Sequence, residues 1–64
     1  MNASTTSHKP IGTKGYAFET FSQQFVDAIV IETPANLAEL GYVSVTVKTA
    51  MGIFNTAVKV EDFI

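Results

Sequence analysis

The sequence predicts a mostly β fold: a small antiparallel sheet or partly open barrel with one short helical turn. Three observations carry this. First, Val43, Val45 and Val47 alternate with Ser44, Thr46 and Lys48, the period of two expected of a strand with one buried face. Second, a matching run follows Ala50-Met51-Gly52, with Phe54, Thr56, Val58 and Val60 on one side and Asn55, Ala57, Lys59 and Glu61 on the other. The C-terminal half therefore reads as a β-hairpin. Third, residues 25–33 are dense in Val and Ile, whose branching at Cβ favours extended backbone.

Taken from the N-terminus, residues 1–15 are rich in Ser, Thr, Gly and Lys and hold only Ile11 as a sizeable apolar side chain after the first methionine. That composition predicts a flexible N-terminal tail ahead of a single small domain, 16–64. Tyr16 to Phe21 mixes aromatic and polar residues as a short strand does. The next stretch supports two readings. As a helix over about 21–31, Ser22 would cap it and Phe21, Phe25, Ala28 and Ile29 would share a face, giving an α+β fold with the helix laid on the C-terminal hairpin. As a strand, Val26, Ala28 and Val30 alternate with Phe25, Asp27, Ile29 and Ile31, and the β-branched density favours this reading over Ala28 to Glu32.

Thr33-Pro34 through Gly41 predicts two helical turns, with Thr33 as cap, Pro34 at the first position, Gly41 as the left-handed stop, and Leu37 and Leu40 facing the core. At the C-terminus, Phe63 and Ile64 are expected to close the core or a subunit contact. This order of elements matches a partly open barrel of the SH3-like kind, an architecture that carries no function of its own.

Length and composition narrow the function classes. At 64 residues, 47% hydrophobic and 16% charged, the chain is too apolar for disorder and too short for two cores. A core this small needs support, yet there are no cysteines for disulfides and a single histidine for a structural zinc. Self-association, as a homo-oligomer, is the remaining common device. No apolar export signal or membrane-length segment appears, which makes the cytoplasm the expected compartment.

Charge is uneven. Lys9 and Lys14 are the only charged residues of 1–15, whereas Glu19, Asp27, Glu32, Glu39, Glu61 and Asp62 share the rest with Lys48 and Lys59, leaving that part at −4. There is no arginine, the side chain best suited to phosphate and guanine. Nucleic acid is therefore a disfavoured partner.

No pattern for catalysis, cofactor or metal emerges. His8 lies in the predicted tail, Gly12-Thr13-Lys14-Gly15 lacks the leading glycine and residue order of a phosphate loop, and Glu61-Asp62 are sequence neighbours expected to diverge. Asp27 stands among apolar residues and would need a partner if buried. The seven aromatics, Tyr16, Phe18, Phe21, Phe25, Tyr42, Phe54 and Phe63, are expected mainly to pack the core, with an exposed docking platform as the alternative.

The leading expectation is thus a non-enzymatic interaction module. It would self-associate through Tyr42, Phe54, Phe63 and Ile64 and present an acidic surface, Glu39, Glu61 and Asp62, to a partner protein. Two alternatives remain: a small-barrel nucleic-acid-binding protein using aromatics and the Lys9–Lys14 arm, and a subunit whose site forms at an oligomer interface.

Overall fold

A computed structural model describes residues 9–64. His8 lies outside the described residues. The chain forms a four-stranded antiparallel meander, β1 (Lys14–Glu19), β2 (Gln24–Val30), β3 (Tyr42–Thr49) and β4 (Gly52–Lys59), in the order β1-β2-β3-β4. A short helix α1 (Ala35–Glu39) connects β2 to β3, and a 3-10 turn, Val60–Asp62, follows β4. The sheet is not closed: β1 and β4 are its two edges.

Register assigns the faces. Ala17 faces Val26, Ala28 faces Val47, Val30 faces Val45, and Val43 faces Val58, so the alternating small and branched residues meet on one side. Ala17, Ala28, Val30, Val43, Val45, Val47 and Phe63 form the buried core, with Val26, Val58 and Val60 packed at its margin. The expected hairpin is present, closed by Thr49 and Gly52 around Ala50-Met51, and β3 turns its valines inward as its alternation predicts.

The segment 21–31 is not a helix. Gln24–Val30 is the second strand, because a strand places Val26, Ala28 and Val30 together on the core face whereas helical spacing would scatter them. Phe21 and Ser22 instead sit in the β1–β2 turn, where Gln23 takes a left-handed φ of 55°. Glu19 ties that turn down, its carboxylate accepting the N–H of Phe21 at 2.6 Å and that of Ser22 at 2.8 Å.

Two details of α1 also depart from expectation. Thr33 does not cap it: its hydroxyl accepts the Ser44 N–H at 2.9 Å, and Pro34 occupies the cap position. That hydroxyl serves the sheet because Ser44 is buried beside it and needs an acceptor. Gly41 does stop the helix with φ +86°, but Leu40 is 71% exposed and only Leu37 turns toward the protein. Five residues of helix present too little surface to seat both leucines.

Phe63 and Ile64 return to β1. Tyr16 N–H donates to Ile64 O at 2.7 Å and Ile64 N–H to Tyr16 O at 2.8 Å, with a bridge between Ala17 and Phe63. Gly15 makes this possible, since a Cβ there would collide with the Ile64 carbonyl oxygen and stand 2.8 Å from Phe63 Cζ. Upstream, within the segment whose composition suggests a tail, Gly12 N–H donates to Val30 O at 2.8 Å and Val30 N–H to Thr13 O at 2.9 Å.

Candidate functional site

The aromatics do not pack the core as expected. Phe63 alone of the seven is buried; Tyr16, Phe21, Phe25 and Phe54 are exposed and Phe18 and Tyr42 are half-buried. Register explains this. Tyr16, Phe18, Phe25 and Tyr42 occupy alternate positions to the core residues and so project from the opposite face, Phe21 lies in a turn, and Phe54 points to the core side from an edge strand, where it stays half exposed.

Two surfaces result. On the core side, beyond the buried valines, an apolar trough of about 690 Å³ runs toward the hairpin tips. Val26, Val47, Phe54 and Val58 line it, and Phe21 and Met51, 94% and 85% exposed, stand at its rim. On the other face, Tyr16, Asp27, Lys48 and Ile53 form one cross-strand row, and Lys14, Ile29, Thr46 and Asn55 form the next, around a shallow depression of about 530 Å³. Phe18 and Phe25 end this face with an edge-to-face contact, centroids 5.5 Å apart.

No protein-family model, curated protein or solved structure matches the chain. The site's chemistry is therefore read from its residues alone. Asp27 is exposed opposite Lys48. Among the described residues no group of three metal-ligating side chains comes together, and no helix is long and apolar enough to cross a membrane. One carboxyl is distinct: the hydroxyl of Ser22, then the Ser22 and Phe21 N–H groups, hold Glu19 below the ordinary carboxylate range.

The sequence-predicted residues separate. Phe63 closes the core, with Lys9 Nζ 5.9 Å from its ring centroid, and Ile64 pairs through its backbone with β1 while its side chain stays exposed. Tyr42 begins β3 on the face opposite the core, so it does not join Phe54, which flanks the trough. Glu39 ends α1 and Glu61 and Asp62 lie in the 3-10 turn, rather than on a strand. Both elements sit at the end of the sheet away from the hairpin tips, joined by Val60 N–H donating to Gly41 O at 2.9 Å. Glu39, Glu61 and Asp62 thus share one end of the sheet with Lys59 and the exposed Leu40, while Phe21 and Met51 stand at the other with Glu19.

Sequence reasoning did not single out Met51, Ile53 or Phe21 as surface groups. An apolar side chain inside a hairpin turn, as at Met51, is a usable signal, because turn positions are solvent-facing. For Ile53 no such signal exists, since its face follows only from the register.

Proposed function

We propose that this chain is a non-enzymatic protein-interaction module of the cytoplasm that self-associates through the apolar edge of its sheet and presents an acidic face, Glu39, Glu61 and Asp62, to a partner protein. The observation that carries this is the exposure of Met51, Ile53 and Phe54, at 85%, 67% and 50%, on and beside the sheet edge that the described residues leave uncapped. The core beneath holds four valines, two alanines and one phenylalanine, little for a chain without disulfides. Burying those exposed side chains against a second surface would add stabilisation at about 25 cal/mol per Å² of apolar area. Glu39, Glu61 and Asp62 stay outward in such an assembly. The meander, the 3-10 turn and the return of Phe63 onto β1 support a partly open barrel of the SH3-like kind, which leaves the functional reading unchanged.

Light scattering across a dilution series at two salt concentrations tests the proposal. The expected result is a mass above the monomer that falls on dilution and changes little with salt, since apolar burial is not screened. A monomer at every concentration would remove self-association from the proposal.

A second reading has its own observation: the face opposite the core gathers Tyr16, Phe18 and Phe25 with Lys14 and Lys48, the elements of a stacking surface for single-stranded nucleic acid. Titration with a single-stranded oligonucleotide separates the two, because phosphate binding weakens steeply between low and moderate salt. The lack of arginine and the placement of Asp27 between Tyr16 and Lys48 weigh against it.

A further inference from the structure

The sheet's two edges are treated differently by the chain. On β1 the outer edge is occupied at Tyr16 and Ala17 by the C-terminal residues. On β4 none of the described residues occupies it, and the run Gly52–Val58 holds neither a charged residue nor a proline. Edge strands are ordinarily guarded by such residues, by bulges or by a covering element, because a row of unpaired N–H and C=O groups templates another strand. An edge run without a charge of either sign suits an occupant that is itself uncharged there, as the same run of a second copy is.

Backbone directions can be assigned along this edge. Ile31 N–H bonds Ser44 O, so Ser44 and its alternate residues turn their polar groups toward β2, while Val43, Val45 and Val47 turn theirs toward β4. Their partners Phe54, Thr56 and Val58 face back. The N–H and C=O groups of Ile53, Asn55 and Ala57 consequently point outward from the sheet.

Resting on the self-association proposed above, we infer that the occupant is a second copy of this chain, pairing β4 antiparallel to β4 about a two-fold axis at Asn55. An antiparallel pair related by a two-fold axis normal to the sheet keeps the two core faces on the same side. It therefore matches residues of like face, and outward-pointing groups must meet outward-pointing groups. With Asn55 opposite the partner's Asn55, Ile53 meets the partner's Ala57, Phe54 meets the partner's Thr56, and the uncharged run is paired along its whole length. A shift that moved the axis to Thr56 would set Lys59 against the partner's Ile53 instead. Asn55 is suited to the axis, because its Oδ1 already accepts the Thr46 hydroxyl at 2.7 Å, which orients the side chain and leaves its amide N–H groups to donate across the interface.

The strip is about 26 Å long and about 10 Å thick at ordinary strand and sheet dimensions. This is smaller than a permanent interface, so the pair should dissociate on dilution. Joined in this way, the two troughs would form one apolar floor on a common face.

The absence of native cysteine gives a direct test on the full chain. Asn55→Cys should cross-link to a covalent dimer under mild oxidation at least about tenfold faster than Glu39→Cys, since directly opposed residues lie within disulfide reach. Ala57→Pro should hold the mass at the monomer with its β circular-dichroism spectrum retained, because the N–H it removes makes no bond within the sheet. If the wild-type chain multimerises while Asn55→Cys cross-links no faster than Glu39→Cys, the β4 pairing is overturned and self-association through another surface stands. A wild-type monomer at every concentration overturns both. Should Ala57→Pro fail to fold, the cross-linking rates decide alone.

Discussion

Replacing Gly15 by alanine adds one methyl group at the point where Phe63 and Ile64 meet β1. The new Cβ would overlap the Ile64 carbonyl oxygen and stand 2.8 Å from Phe63 Cζ and 3.0 Å from Cε1. A backbone oxygen cannot swing aside as a flexible side chain does, so Phe63–Ile64 must lift from β1. What is lost is the burial of Phe63, about 1.5–3 kcal/mol, and two hydrogen bonds of about 0.5–1.5 kcal/mol each, together about 2.5–6 kcal/mol. A domain of this size holds only about 3–5 kcal/mol, so urea unfolding followed by circular dichroism is best run with a stabilising osmolyte. Three variants should be compared: Gly15→Ala, the chain lacking residues 63–64, and the two changes combined. If the methyl acts by expelling the C-terminus, the three share one cost, and on the shortened chain alanine is neutral or better by up to about 1 kcal/mol, since glycine is poor in a strand. Equal penalties for Gly15→Ala with and without Phe63–Ile64 would refute the reasoning.

Other outcomes follow from single contacts. Thr33→Val removes the acceptor for the buried Ser44 N–H and should cost about 1–3 kcal/mol, read from the urea midpoint; an unchanged midpoint would mean that water takes the hydroxyl's place. Glu19 has a lowered pKa, so its contribution is present above the unfolded carboxylate value and is lost as pH falls through the lower folded value. Melting temperatures of wild type and Glu19→Gln should therefore differ at neutral pH and converge in acid, and a constant gap would exclude the carboxylate's role. Removing residues 1–13 deletes both hydrogen bonds to Val30 and should cost about 1–3 kcal/mol. An unchanged melt would show that the added order contributes nothing.

Strands β3 and β4 were legible from alternation because the side-chain period of a strand is a local property. The turn at Ala50-Met51 and the left-handed Gly41 were legible for the same reason, as was the strand reading of Ala28, Val30 and their neighbours. Thr33 was misjudged as a cap because its competing donor, Ser44, is distant in sequence and becomes adjacent only when β2 and β3 align. The aromatics were misjudged because composition counts apolar area without saying which face receives it. Among the expected interface residues, Phe54 and Phe63 carry similar local signals, yet one lies over an open edge and the other under a closed end.

By itself, then, the sequence determined a mostly β chain, its C-terminal hairpin and the valine face of β3. Those depend on local period, turn chemistry and residue inventory. Only the tertiary structure decided that Phe63 and Ile64 pair with β1, that β4 is left unpaired on its outer side among the described residues, and which aromatics the register turns away from the core. These follow from register and chain closure, which join residues far apart in sequence and which no local pattern encodes.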